Sequence, residues 1–211
     1  MYLPQSFEET RTEVLHGLIR NHPLATLVTP GTAGLMVDHI PMIISPRPGP
    51  FGTLTGHVAK ANPVWRELST TTEVVAVFQG PETYISPSWY PSKEEHGKVV
   101  PTWNYAVVHA RGNPRAIEDP EWLLRHVGEL TDEHEGRRTA PWTLADAPDG
   151  FAENLVNAIV GIEIPITQLD GKWKMSQNRP AADRIGVAEG LELQGGVAAE
   201  AVAALVRESI R

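Results

Sequence analysis

The chain has 211 residues, 41% of them apolar, which is enough to bury the core of one sizeable domain. It contains no cysteine, so disulfides, thiolate metal sites and cysteine nucleophiles are excluded. The formal net charge of -8 argues against a surface built for nucleic-acid backbones, which normally carries a basic face. No apolar run reaches the roughly 20 residues that span a bilayer, and the N-terminus lacks a signal-peptide pattern. We therefore expect a soluble cytoplasmic protein without a membrane partner.

The first half of the chain alternates strand patterns with helix patterns. Ser6 and Glu9 predict a capping box for an opening helix that ends before Pro23. A short helix with Asn62 as N-cap is predicted over Asn62–Leu68. The predicted strands are Leu24–Thr29, Leu35–Ile44 with an interruption at Pro41, Gly52–Val58, Glu73–Gln79 and Thr83–Ser86, the last two joined at a Gly80-Pro81 turn.

The segment from Tyr84 to Tyr105 holds five of the 14 aromatic residues and three prolines. Proline removes backbone donors, and no helix or strand period runs through the middle, so Ser86–Pro101 is predicted to be an irregular, stiff loop. Disordered segments are poor in aromatic residues. The loop is therefore expected to be ordered, with its aromatic side chains against a planar ligand or a partner subunit.

The second half adds one long strand, a final strand and most of the helices. The predicted elements are a strand over Thr102–Ile117 that bends at Gly112 and Pro114, a helix from Asp119 to about Glu135, a loop over Gly136–Asp149, a helix over Gly150–Leu155, a strand over Asn157–Gln168, and helices over Pro180–Ala188 and Gly196–Ile210. Short strands with turn signals, and helices only between or after them, favour a β-barrel over a parallel α/β sheet.

The segment Gly56–Pro63 is the first candidate site. A predicted strand runs into the start of a helix there, and Lys60 lies just before the N-cap. A helix N-terminus presents unpaired N–H groups, and a neighbouring lysine adds positive charge, so the pair suits a phosphate. The alternative is an ordinary capped surface helix with a solvated lysine, and the local sequence alone favours that alternative.

The segment Gly171–Pro180, with Arg184 beyond it, is the second candidate site. Four basic residues are interleaved with polar and aromatic ones: Lys172, Lys174, Arg179 and Arg184 with Trp173, Ser176, Gln177 and Asn178. Cations, amides, hydroxyls and an indole together fit an anionic, partly aromatic ligand. A polar connection with surface ion pairs explains the same composition equally well.

Other classes of site receive less support. Six of the eight histidines are candidate metal or haem ligands, but none shows zincin-type spacing: His39, His57, His96, His109, His126 and His134. The chain has no Gly-x-Ser-x-Gly elbow, no Gly-x-Gly-x-x-Gly fingerprint and no P-loop. We expect no metal site, serine hydrolase triad or Rossmann site.

Eight segments, in order along nearly the whole chain, resemble the PaiB family, described as FMN-binding negative transcriptional regulators. The matching segments are Met1–Pro4 with Phe7, His39–Pro41, Gly56–Pro63, Tyr84–Lys93, His96–Tyr105, Val108–Ala110, Ala158–Glu163 and Gly171–Pro180. The resemblance implies the FMN-binding split β-barrel shared with pyridoxamine-phosphate oxidases and flavin reductases, a mainly β (α+β) fold with flanking and C-terminal helices. Residues 1–170 would form the barrel domain, and residues 171–211 a cofactor-contacting segment and helices of the same domain.

The resemblance also implies a homodimer with FMN at the subunit interface, and it assigns cofactor contacts. Lys60 matches the basic residue that grips the FMN phosphate, with His57 and Asn62 beside it. The isoalloxazine edge would be lined by Val37, Asp38, His39 and Pro41. Trp103 and Asn104 would reach the cofactor from the partner subunit, and the C-terminal cofactor or substrate contacts would be Trp173, Arg179 and Arg184. No catalytic residue is assigned.

The implied function is negative regulation of transcription, with FMN or its redox state biasing the dimer or its partners. The acidic balance and the lack of a basic helix-turn-helix weaken direct DNA binding. Three alternatives remain: a flavin-dependent oxidoreductase of the pyridoxamine-phosphate-oxidase or flavin-reductase type, a haem-binding or haem-degrading split barrel, and a structural dimer that has lost its cofactor.

Overall fold

The computed structural model describes residues 1–210, and over this part the chain forms seven α-helices and nine strands. The helices are α1 (Thr12–Asn21), α2 (Val64–Leu68), α3 (Ser92–His96), α4 (Pro120–Glu135), α5 (Phe151–Val156), α6 (Ala181–Gln194) and α7 (Val197–Glu208). The strands are β1 (Glu8–Glu9), β2 (Leu24–Gly31), β3 (Gly34–Pro41), β4 (Ile43–Ser45), β5 (Thr53–Ala59), β6 (Val74–Ile85), β7 (Thr102–Gly112), β8 (Arg115–Ile117) and β9 (Ile159–Lys174). Short 3-10 helices occupy Gln5–Phe7, Pro87–Trp89 and Leu144–Asp146.

The strands form an antiparallel sheet in the order β3-β2-β6-β7-β9-β5-β4, and β1 and β8 also pair with β9. In the pairing of β2 with β3, Leu24 lies opposite Pro41. In the pairing of β5 with β9, Thr53 lies opposite Pro165. Strand β3 is the edge strand at one end of this order. The predicted α+β class is therefore confirmed.

Two compact units share the long strands. The central unit comprises Ile19–Phe78 and His109–Leu169, and the terminal unit comprises Met1–Leu18, Gln79–Val108 and the chain from Asp170 onward. The central core contains side chains with no exposed surface, among them Leu27, Leu54, Phe78, Ile162 and Ile164. The core of the terminal unit includes Ile85, Met175, Val187, Leu191, Val202 and Val206.

The opening helix starts later than predicted, and the capping box at Ser6 is wrong. Helix α1 begins at Thr12, while Glu8–Glu9 pair with Lys172 and Gly171 of β9. The Glu9 carboxylate accepts hydrogen bonds from the backbone N–H and Nε of Arg11, both at 2.9 Å. Strand pairing and this local bond therefore replace the expected cap.

Two predicted breaks in the strand pattern are absent from the structure. The turn at Gly80-Pro81 is wrong, because β6 runs unbroken through it. A Cβ at Gly80 would lie 3.1 Å from the carbonyl oxygen of Ala106, so this glycine permits close approach of β7 and does not form a turn. The last strand extends to Lys174, so the predicted end at Gln168 is also wrong and the Gly171–Lys174 segment is not a connection.

Most other boundaries agree with the pattern or shift slightly, but the predicted end of the Pro180–Ala188 helix is wrong, because α6 continues to Gln194. Met42 separates β3 from β4, so the interruption at Pro41 is confirmed, and the bend near Gly112 and Pro114 separates β7 from β8. The aromatic loop is not wholly irregular, because it contains a 3-10 turn at Pro87–Trp89 and the short α3. Prolines at helix starts explain the difference, since proline is favourable there and disfavoured only inside helices.

Trp89 in this loop packs on the glycine face of α6. A Cβ at Gly186 would collide with the backbone of Trp89, and a Cβ at Gly190 would collide with its indole ring. The aromatic loop is therefore seated against α6 at two positions that only glycine allows.

Gly190→Ala is expected to destabilise the chain by about 1–3 kcal/mol, because the added methyl group overpacks the Trp89 contact. The matched control is Gly17→Ala in α1, where a Cβ meets nothing within 4 Å. That change is expected to stabilise the chain by about 0.5–1 kcal/mol, since alanine has the higher helix propensity. Urea denaturation of both variants checks the pair, and equal effects would contradict the packing.

Candidate functional site

Lys60 lies directly after β5 in the central unit, where it precedes α2. Its Nζ is 3.4 Å from Oε2 of Glu118, and both side chains are about half exposed. Its backbone N–H donates to Ala158, and its carbonyl oxygen accepts from the indole N–H of Trp65 at 3.0 Å. The backbone of Lys60 is thus held on both sides, while its ammonium has one weak, solvent-exposed partner. We refer to Lys60, Asn62, Asp38 and Glu118 as the Lys60 cluster.

Asn62 links this cluster to β3. Its side-chain amide donates to Oδ1 of Asp38 at 2.7 Å, and its Oδ1 accepts the backbone N–H of Val64 at 2.9 Å. Helix α2 begins at Val64, one residue later than predicted, and Pro63 occupies the N-cap position. Asn62 still supplies a side-chain oxygen to the first helical N–H, so the capping role holds although the boundary was wrong.

The predicted isoalloxazine-edge residues lie on β3. Val37, His39 and Pro41 are exposed, whereas Asp38 is half-buried and Ile40 is buried. This alternation puts Val37, which is 56% exposed, and His39 on the outer face of an edge strand. The structure therefore brings Asp38 to Asn62 and leaves the neighbouring outward positions uncovered.

His57 pairs with a histidine of α4. Its Nδ1 lies 3.2 Å from Nε2 of His126, whose ring stacks on Trp122 at 5.1 Å between centroids. Burial lowers the pKa of both imidazoles, and that of His126 falls to about 4, helped by the neighbouring His57. Both rings are therefore neutral near pH 7.

A second group of site residues lines a cavity of about 130 Å³ in the terminal unit, called here the Lys174 cavity. Its lining comprises Tyr90, Val100, Thr102, Asn104, Lys174, Ser176, Asn178 and Arg179. The ammonium of Lys174 donates to Oγ1 of Thr102 at 2.6 Å and to the carbonyl oxygen of Trp103. Burial, together with the charges of Lys172 and Arg179, lowers the pKa of Lys174.

The floor of the Lys174 cavity is polar and constrained. Buried Asn104 donates to Oγ of Ser176 at 3.0 Å, and the Ser176 hydroxyl returns a bond at 3.2 Å. Ser176 has φ of 64°, a left-handed conformation that is uncommon outside glycine and clusters at functional sites. The guanidinium of Arg179 lies 4.6 Å from the ring centroid of Tyr90, whose pKa is raised mainly by burial.

The remaining predicted residues lie outside that cavity. Trp103 is 53% exposed and meets Tyr84 edge-on at 6.2 Å between ring centroids. Trp173 is half-buried on β9 and does not line the cavity. The guanidinium of Arg184 donates to the carbonyl oxygen of Ser209 at 2.7 Å, after the end of α7. Of the predicted C-terminal contacts, the structure therefore brings only Arg179 to the cavity.

These sites also contain residues that were not among the predicted cofactor contacts: Tyr90, Val100, Thr102, Glu118, His126, Lys174, Ser176 and Asn178. Lys174 and Ser176 belong to the second candidate segment, but the pattern does not show that the segment continues β9. His126 follows Trp122 by four residues, so it shares the apolar face of α4, and that spacing was the available signal.

Among residues 1–210, the structure has no group of three or more His, Cys, Asp or Glu side chains that could hold a metal ion. No helix in the same range is both long and apolar enough to cross a membrane.

The comparisons with known proteins identify the family. A family model described as "Putative FMN-binding domain" matches residues 1–168. The "Protease synthase and sporulation protein PAI 2" of Bacillus subtilis is 30% identical over 211 residues, covering 100% of this chain and 99% of its own. An uncharacterized Aspergillus fumigatus protein is 36% identical, covering 99% of this chain and 97% of its own.

Solved structures show the same fold at low identity. The FAD and haem binding protein of Mycobacterium smegmatis has a TM-score of 0.57 at 16% identity, covering 90% of this chain and 81% of its own. The conserved hypothetical protein Rv2991 of Mycobacterium tuberculosis has a TM-score of 0.60 at 15% identity, covering 85% and 94%. These likenesses support the fold, while the family model and the Bacillus subtilis relative show the family: the chain belongs to the PaiB family of FMN-binding split-barrel proteins.

Proposed function

We propose that this chain is an FMN-binding homodimer that acts as a negative regulator of transcription, with the FMN phosphate on Lys60. The observation that carries the FMN contact is the weak pairing of Lys60: within residues 1–210, the ion-pair partner of its ammonium is the half-exposed carboxylate of Glu118 at 3.4 Å. An exposed pair of this kind contributes little, so a phosphate can replace Glu118 at small cost. The family match supports the same cofactor.

The donor set fits a phosphorylated flavin. Lys60 supplies a point charge for phosphate, and Asn62 is held by Asp38 and by the first N–H of α2. The exposed outer positions of β3, Val37 and His39, offer an uncovered edge for a planar ring. FMN, when bound, supplies hydride and one-electron chemistry of its own. The residues of this chain bind and orient it.

Exposed aromatic and apolar side chains support a dimer. Trp103 and Tyr84 form an exposed aromatic pair, and Leu35 and Val37 are more than half exposed on the edge strand β3. Large apolar side chains left in water on an unpaired edge are typical of surfaces that a second subunit covers. Sedimentation equilibrium tests this assembly, and a monomer at all concentrations would contradict it.

The regulatory role draws support from the relative whose name refers to protease synthesis and sporulation. The net charge of -8 favours action through a protein partner over direct contact with DNA. A gel-shift titration against the protein's own promoter region at physiological salt separates these routes. Specific binding there would assign direct operator recognition instead.

A flavin-dependent oxidoreductase is the second candidate, and the Lys174 cavity is the observation that favours it. Lys174 and Arg179 line this small cavity, and they would hold a compact anionic substrate. Reduction of bound FMN by NADH or NADPH at a useful rate would support this activity. A flavin that neither nucleotide reduces would leave the regulatory proposal as the better one.

Lys60→Ala is expected to weaken FMN binding about 10- to 100-fold, because a charge-assisted contact to phosphate is lost. Lys60→Arg is expected to retain most of the affinity, and Glu118→Gln to retain or increase it, since Glu118 competes for the ammonium. Lys98→Ala, at an exposed lysine of the aromatic loop, is the matched control. Flavin fluorescence quenching measures all four, and unchanged affinity in Lys60→Ala would rule out this phosphate contact.

A further inference from the structure

A second cavity, of about 380 Å³, lies in the central unit between α4, α5 and the strands β5 and β9. We call it the α4–α5 cavity. Its lining is almost wholly apolar: His57, Ala59, Leu124, Val127, Trp142, Leu144, Ala147, Phe151, Ala152, Leu155, Val156, Ala158 and Ile159. Of the residues predicted to contact FMN, only His57 is in this lining.

The size and chemistry of this cavity are those of a small-molecule site. Ligand pockets typically measure about 300–1,000 Å³ and combine apolar walls with one or a few placed polar groups. Trp142, Phe151 and Leu155 line the cavity and remain 45%, 50% and 52% exposed. Large apolar side chains clustered around an open cavity are surface that an occupant would cover.

The rim of the cavity is organised by polar contacts. The backbone N–H of Trp142 donates to Oε2 of Glu135 at 3.1 Å. The backbone N–H and the hydroxyl of Thr143 both donate to Asp146, at 2.7 and 2.9 Å. These bonds fix the segment that carries Trp142 and Leu144, so the cavity has an ordered wall.

The His57–His126 pair determines which polar group the cavity offers. A neutral imidazole has one N–H and one bare nitrogen. Nδ1 of His126 is buried without a hydrogen-bond partner among the described residues, and an orphaned buried N–H is rarer than an orphaned acceptor. We therefore assign the proton to Nε2 of His126, which donates to Nδ1 of His57 at 3.2 Å. His57 then carries its own proton on Nε2, as a donor for an occupant.

We infer that the α4–α5 cavity binds a neutral, apolar, ring-containing molecule with one hydrogen-bond acceptor, such as a carbonyl oxygen, placed on His57. The lining contains no lysine or arginine, so the cavity itself favours a neutral ligand over a phosphorylated one. The inference therefore concerns a ligand other than FMN and does not rest on the Lys60 contact.

Prodan, a neutral naphthyl ketone whose emission reports polarity and hydrogen bonding, is the probe. The wild-type chain is expected to bind prodan saturably with a blue-shifted emission. Ala152→Phe, which fills the cavity, is expected to weaken binding at least about tenfold. Ala145→Phe, an exposed alanine outside the lining, is the matched control and is expected to bind like wild type. Leu155→Trp is a second filling variant, and circular dichroism identifies which variants remain folded.

The role of His57 has its own readout. His57→Leu is expected to weaken prodan binding about fivefold, the value of one neutral hydrogen bond, and to leave the affinity of carbonyl-free ethylnaphthalene unchanged in competition. FMN is expected not to displace prodan. Three outcomes would overturn the inference: no saturable binding by wild type, equal affinity in folded filling variants, or displacement of prodan by FMN. Failure of FMN binding in the same protein would bear only on the Lys60 contact.

Discussion

Lowering the pH from about 7 to about 4 is expected to destabilise the chain by on the order of 3 kcal/mol through His126 alone. The pKa of this buried imidazole is about 4, against an ordinary value of 6.5. Between these values the unfolded chain binds a proton that the folded chain does not. Stability is therefore complete above about pH 6.5 and is lost as the pH falls toward 4. Burial also lowers the pKa of His57, so its effect has the same sign.

The variant that isolates this effect is His126→Phe, which keeps a ring against Trp122 and removes the titrating group. Urea denaturation between pH 7 and pH 4.5 is expected to show a shallower pH dependence in this variant than in wild type. Gly128→Ala changes a residue of the same helix without adding or removing a titrating group, and it is expected to leave the slope unchanged. A wild-type slope in His126→Phe would contradict the buried neutral state of the pair.

Asp183→Ala is expected to destabilise the chain by about 2–4 kcal/mol. Asp183 is 1% exposed, and its carboxylate accepts the backbone N–H of Ser92 at 3.1 Å and the Ser92 hydroxyl at 2.7 Å. Truncation leaves both donors buried without an acceptor, which costs more than the bonds themselves contribute. The variant is also expected to detach the start of α3, at Ser92, from α6. Ser92 lies two residues after Tyr90, which lines the Lys174 cavity.

Two further variants define the source of that loss. Asp183→Asn retains one acceptor oxygen and is expected to fall between wild type and Asp183→Ala. Asp132→Ala, on the exposed surface of α4, is expected to change stability by less than about 0.5 kcal/mol. Thermal and urea denaturation measure all three. An Asp183→Ala variant as stable as wild type would show that α6 does not hold the aromatic loop through this carboxylate.

Local patterns predicted most of the fold, because strand alternation and proline or glycine breaks act over a few residues. The interruption at Pro41 and the bend near Gly112 followed from backbone chemistry alone. The failures came from distant contacts. The sequence around Gly80 predicts a turn, and only the close contact between Gly80 and Ala106 of β7 shows that this glycine lies inside a strand. Likewise, only pairing with Glu8 and Glu9 shows that β9 continues through Lys172.

The sites divide in the same way. The positions of Lys60 after a strand and of Asn62 before a helix follow from the local pattern, because these elements are adjacent in the chain. The pairing of Asn62 with Asp38 and of His57 with His126 joins residues 24 and 69 positions apart. A single sequence contains no signal for such pairs beyond the apolar face that His126 shares with Trp122.

The most direct test of the FMN assignment is an absorption spectrum of the purified protein, recorded after FMN is added and the excess is removed by gel filtration. A flavin spectrum with bands near about 370 and 450 nm is expected to co-elute with the wild-type protein, and far less with Lys60→Ala. A wild-type protein that stays colourless after excess FMN would contradict cofactor binding by this chain.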